Sequence, residues 1–286
     1  MISKLRGDER IEAGSIIVIA RQELLLSARS AWTLVFAVIF GVLVTAIAYF
    51  GLMAEGFSGV QGFTRTAASL LNLVLYIIPL VALTMGVMSF TGDDSTLELL
   101  FSQPVLRVEV LLGKLLGLFF SLALSTIIGF GVAGSFIAVQ SGSAGILGYL
   151  AFVGFSLLLG LVFLCLSALL SALARRRTRA IGLAIFLWFF FAIFYDLLVI
   201  AAATLTRGPT ASTVLFVSLF GNPVDMVRVA SLIALDGVTI FGAAGVALLR
   251  WLGGKLGSLA VTFVLFAFWI STPLYLSYLV LRRQDV

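Results

Sequence analysis

Residues 147–179 read LGYLAFVGFSLLLGLVFLCLSALLSALARRRTR. The segment 147–173 carries no charge, and at a rise of ~1.5 Å per residue it outreaches a ~30 Å hydrocarbon core. It is followed at once by Arg175, Arg176, Arg177 and Arg179. An uncharged run of this length closed by a tight arginine cluster reads as a membrane helix that ends on the inner side.

Outward from this run the same pattern repeats. Apolar runs lie near 32–52, 70–90, 115–138, 180–203 and 256–281. With 147–173 they predict an all-α, polytopic membrane protein of six spans, forming one transmembrane domain over 1–286. The bulk composition agrees. The chain is 62% hydrophobic and 11% charged, with a mean hydropathy of +1.21. A soluble fold of 286 residues has too little interior for that much apolar surface. The first thirty residues are charged and lack a secretory layout, so the run at 32–52 is expected to stay as an anchor.

Charge sets the orientation. Of the 18 Lys and Arg residues, five (Arg65, Arg207, Arg228, Arg250 and Lys255) fall on segments of one side, and the rest on the other. The positive-inside rule then places both termini in the cytoplasm of a cell with this protein in its inner membrane. A net charge of +5 and a pI near 9.7 reflect this placement, not nucleic-acid binding. Residues 204–255 hold apolar pieces at 211–220 and 237–249, each too short to cross. They read as an outer helical elaboration lying on or dipping into the bilayer; a seventh span there would invert the orientation of the remaining chain. Residues 11–30 place Arg21, Gln22 and Glu23 between apolar stretches, which suits an interfacial helix better than a spanning one.

The third span carries Gly113, Gly117, Ser121, Ser125, Gly129 and Ala133 at every fourth position. Small residues so spaced let another helix backbone come close. Packing inside one subunit is the expected use, contact with a second subunit the alternative. Pro79 and Pro273 lie inside the second and sixth spans and predict kinks.

Several chemistries are disfavoured. There is no histidine, and Cys165 stands alone. That removes the commonest base and metal ligand, and any intrachain disulfide. Met85 and Met88 share a helix face, and thioethers bind copper(I), but core filling fits them better. No metal site is expected. Gly113-Lys114 and Gly254-Lys255 are each followed by Leu and lack the glycine that opens a phosphate-binding loop. No cofactor is therefore expected on this chain. An intramembrane hydrolase lacks its base here. An ion-coupled transporter would want more buried ionisable groups than Asp196, the acid of the fifth span. Asp196 reads either as a pathway carboxylate or as a hydrogen-bonded structural acid. Asn222-Pro-Val-Asp-Met-Val-Arg228 reads as a helix start: Asn222 caps, Pro223 fits the first turn, and Asp225 favours the positive end.

The connection 91–114 holds Asp93, Asp94, Glu98, Arg107, Glu109 and Lys114, with a short helix expected over 96–101 before Pro104. Acids around Leu97-Glu98-Leu99-Leu100 suit a docking peg for another protein. This stretch, from Asp93 through Arg107 and on to Leu112-Gly113-Lys114, resembles the permease subunits of ABC-2 exporters. Within them it is most similar to the Nos-type permeases of nitrous oxide reductase maturation. Leu187-Trp188, Tyr195-Asp-Leu-Leu198 and Asn222-Pro-Val-Asp225 with Arg228 fit the same family. Ser95 stands where the family usually has glycine.

The resemblance implies a homodimer working with a separate ABC ATPase subunit, which binds the ATP and magnesium. It assigns ATPase coupling to Asp93, Asp94, Thr96, Leu97, Glu98, Leu99, Gln103, Pro104 and Arg107. It further implies a periplasmic β-helical partner over 204–255, docked around Asn222, Pro223, Asp225 and Arg228. Such complexes support assembly of a copper centre; the cargo is not written in these residues.

Overall fold

The computed structural model describes residues 12–54, 59–91, 106–141, 145–174, 176–206, 214, 217–235 and 253–283. Among these residues every regular element is helical, so the chain is an all-α polytopic protein. The helices are α1 (Ala13–Ala28), α2 (Ala31–Ala54), α3 (Gly59–Phe90), α4 (Arg107–Ser141) and α5 (Ile146–Ala174). They continue with α6 (Arg177–Phe189), a π-helical turn at Phe190–Phe194, α7 (Tyr195–Leu205), α8 (Pro223–Ala234) and α9 (Gly254–Arg282). Among the described residues six stretches are long and apolar enough to cross a bilayer: Thr33–Gly51, Ser69–Phe90, Arg107–Ser135, Ile146–Ala174, Arg177–Leu205 and Leu256–Arg282. They fall on the six runs read from the sequence. The third starts earlier than the apolar run does, because Arg107, Glu109 and Lys114 continue the helix and find polar partners there.

α5 is the hub. It packs against α3, α4, α6, α8 and α9, and Phe152, Leu159, Val162, Phe163, Leu164 and Cys165 are fully buried along it. Its serine hydroxyls bond back to its own backbone: Ser156 to Phe152 O at 2.8 Å, and Ser171 to Ser167 O at 2.7 Å. A polar group in an apolar interior needs such a partner. An aromatic cluster stiffens the α2–α4–α5 contact, with Phe130 edge-on to Phe40, Tyr149 and Phe152 at 5.5, 5.9 and 5.2 Å.

The small-residue ridge works inside the subunit. A Cβ on Gly113 would lie 2.7 Å from the Ile19 Cβ of α1, and one on Gly129 would lie 2.8 Å from the Phe40 ring of α2. One ridge therefore seats two helices at successive levels, as its drift around α4 requires. Pro79 and Pro273 sit inside α3 and α9, and both helices continue through them.

Because successive spans alternate in direction, α1, the end of α3, the start of α4 and the end of α9 gather on one face. It is called here the terminal face, and its opposite the distal face. α1 lies against α4 on the terminal side with Arg21 and Gln22 exposed, and it is not one of the spanning helices.

α8 enters the bundle. Its last turn meets Gly148, at the distal end of α5, where a Cβ would lie 2.5 Å from Ala234 O. Its first turn lies beside Phe191, which packs edge-on to Phe163 at 6.0 Å and to Trp269 at 5.6 Å. Phe163 is roughly 22 Å further down α5 than Gly148 at ~1.5 Å per residue. The segment thus reaches about half-way into the bundle and returns; of the two readings of this region, dipping describes residues 217–235. Residues 236–250, with the apolar piece at 237–249, lie outside the described residues.

Candidate functional site

Polar side chains converge at two places, one on each side of the hydrophobic middle. The deeper one is built on the start of α8. Asn222 caps this helix by accepting from Val224 N at 2.9 Å, Pro223 takes the first position, and Asp225 lies in the first turn. The helix start foreseen from the sequence is thus present residue for residue. Asn222 Nδ2 donates to Phe191 O at 3.0 Å and to Asp225 Oδ2 at 2.8 Å. Phe191 belongs to the π-helical turn, whose wider spacing offers its carbonyl to a side chain from another element.

Arg228 completes the group. Its guanidinium donates to Asp225 Oδ1 at 2.5 Å and lies 3.6 Å from Asp196 Oδ2. The acid of the fifth span and the basic residue of the outer segment, 32 positions apart in sequence, thus form one charge cluster. Tyr195 leaves the cluster and donates its hydroxyl to Ser218 O at 2.6 Å, and Gly221 leaves room for its ring. Tyr195→Phe should cost about 1 kcal/mol of stability, the net worth of one such bond, in unfolding titrations of the purified protein.

Asn222, Pro223 and Asp225 are all buried, while Arg228 and Asp196 keep 24% and 37% of their side-chain surface accessible. Four of the residues expected to serve docking or an intramembrane role therefore make one internal unit, with only its edge open.

The second site lies on the terminal face. Glu109 is buried in the first turn of α4. One carboxylate oxygen accepts from Glu12 N at 2.6 Å and the other from Leu106 N at 3.1 Å. The same acid therefore satisfies backbone donors just ahead of both α1 and α4, where a negative charge is favoured. On α1, Glu23 accepts from Ser89 Oγ of α3 at 2.7 Å, and Lys114 of α4 donates to Ser89 O at 2.8 Å. Arg107 donates to Leu281 O near the end of α9. Of the residues assigned to coupling, Arg107 is described; Asp93, Asp94, Thr96, Leu97, Glu98, Leu99, Gln103 and Pro104 lie outside the described residues. Among the described residues no three His, Cys, Asp or Glu side chains converge as a metal site would need.

Glu23, Ser89, Glu109 and Lys114 were legible only as separate polar residues. One signal was there to find: Glu109 stands three positions after Leu106, the spacing of a capping box. Leu at the cap position hides it.

Among the described residues, six apolar helices, a helix lying along the terminal face and an inserted α8 define a polytopic membrane protein. The family model described as ABC-2 family transporter protein matches residues 17–286, and the chain belongs to that family. A protein of Pseudomonas aeruginosa named "Probable ABC transporter permease protein NosY" is 37% identical over 274 residues, covering 94% of this chain and 98% of the relative. A protein of the same name from Stutzerimonas stutzeri is 36% identical over 274 residues, covering 93% and 97%. The chain is thus a multi-pass membrane permease of the ABC-2 type.

Proposed function

We propose that this permease is the membrane half of an ATP-driven complex. ATP is hydrolysed on a separate ATPase subunit, and the work is received through the connection between α3 and α4. The observation that carries this reading is the family match across residues 17–286. Supporting it, neither glycine–lysine pair of the chain has the surroundings of a phosphate-binding loop. The connection also leaves and re-enters the bundle on the terminal face, where Arg176, Arg177 and Arg179 lie; by the positive-inside rule this supports termini in the cytoplasm of an inner membrane.

In this reading Thr96–Phe101 is the docking helix, flanked by Asp93, Asp94, Gln103, Pro104 and Arg107. Two permease copies pair in the membrane with two ATPases beneath. The Nos name of the relatives supports nitrous oxide reductase maturation as the setting, with a periplasmic partner on the distal face. Since Asn222, Pro223 and Asp225 are buried, contact with such a partner falls to Arg228 and the segments flanking α8. No cofactor is assigned to this chain.

The test is charge reversal on the docking helix. Glu98→Arg combined with Leu99→Arg should lower the ATPase copurifying with the permease at least tenfold, with membrane insertion unchanged. An apolar anchor and a charge near the centre of a small interface carry most of its energy. Unchanged copurification would remove the connection from the ATPase interface.

A further inference from the structure

The connection from residue 92 to residue 105 has two stems, and both are tied to α1. Ser89, two residues before the last described position of the first stem, reaches Glu23 through its hydroxyl at 2.7 Å. Leu106, at the head of the second stem, gives its backbone N–H to Glu109, which also holds Glu12 N at the start of α1. Lys114 closes the loop by donating to the Ser89 carbonyl from α4 at 2.8 Å. The chain therefore passes from α3 through α1 to α4 by polar contacts alone, while Gly113 and Gly117 let the α1 backbone lie directly on α4.

These contacts decide what can move. Drawing the α3 stem away from α1 breaks the Ser89–Glu23 bond, and shifting the α4 stem takes Glu109 off Glu12 N and leaves it Leu106 N of its own stem. Glu109 is 3% exposed, so its charge would lose one of its two backbone partners without gaining water. The closely fitted glycines add a steric reason against sliding. α1 and the two stems can thus shift together more easily than apart.

We propose that α1 is a strut that fastens both stems of the connection into one body. Glu23 and Glu109 are its positioning residues, so that a displacement imposed on the connection is delivered to α4 and α1 together. This rests on the coupling reading above, but it concerns what happens on the membrane side of the ATPase contact.

The experiment uses the permease with its ATPase in lipid nanodiscs, on a Cys165→Ser background. Spin labels go on two exposed positions, Arg21→Cys in α1 and Leu116→Cys in α4. A strut gives one narrow distance between them that stays the same with and without ATP plus vanadate. A distance that changes with nucleotide in the otherwise wild-type complex overturns the proposal, and this arm needs no further substitution to fold. Next, Glu23→Ala and Glu109→Ala should broaden that distance and lower ATP turnover at least fivefold, with ATPase bound at the wild-type ratio. Glu23→Gln keeps an acceptor for Ser89 and should stay within twofold. Full turnover in both alanine variants also overturns the strut. Failure of the coupling reading shows elsewhere, as retained ATPase binding after charge reversal at Glu98 and Leu99.

Discussion

Arg228→Met is expected to unseat α8. The substitution keeps an apolar stem of similar reach but removes the guanidinium that faces both Asp225 and Asp196. Two acids are then left against each other at the start of a buried helix. Removing one partner from a buried charge network costs up to about 3–5 kcal/mol, and here the buried Asp225 is left with Asn222 as its donor while Asp196 keeps a partly open edge. Unfolding titrations in mixed micelles measure the loss, and a variant as stable as wild type would argue against Arg228 as the residue that holds α8 in the bundle.

The second large effect concerns sign as well as size. Gly131→Ala in α4 meets nothing within 4 Å, and replacing a mid-helix glycine by alanine stabilises by roughly 0.5–1 kcal/mol. The same exchange at Gly117, in the same helix, should destabilise by about 2 kcal/mol or more. There a Cβ would lie 2.6 Å from Ala20 O, 2.6 Å from Glu23 Cβ and 3.0 Å from Leu24 N. Two of those three are backbone atoms of α1, which cannot turn aside as a side-chain tip does. The helix as a whole has to lift. Trypsin cleavage after Arg21 or Arg29 in membrane vesicles should then speed up in Gly117→Ala and not in Gly131→Ala. Equal cleavage in the two variants would mean that α1 is not seated on this glycine.

The spans were legible in the sequence because crossing a bilayer is a local requirement: about twenty apolar residues in a row satisfy it whatever the rest does. The start of α8 was legible for the same reason, since Asn222, Pro223 and Asp225 act within one turn. Its depth was not. Nothing within 217–235 says that Asn222 will meet Phe191, for that depends on a π-helical turn in another span. Asp196 and Arg228 could each be flagged as costly or charged, but their pairing is a property of two elements brought together by α5 and α9. The ridge on α4 announced close approach without naming who approaches, because glycine records an absence of side chain and nothing of the neighbour. The terminal-face ties were hidden more deeply: Glu109 holds backbone N–H groups, and a backbone partner leaves no trace in residue identity.

The half-way insertion of α8 also bears on how the protein is made. A twelve-residue helix is too short for the translocation machinery to deliver sideways into lipid as a span, and bare lipid offers Asn222 and Asp225 no partners. Their partners sit on Phe191 and Asp196, and Trp269 of the last helix closes over Phe220. α8 can settle only after α9 has threaded. The seating of an internal segment is then a late step of assembly, and until that moment the young chain carries a polar plug waiting for its socket.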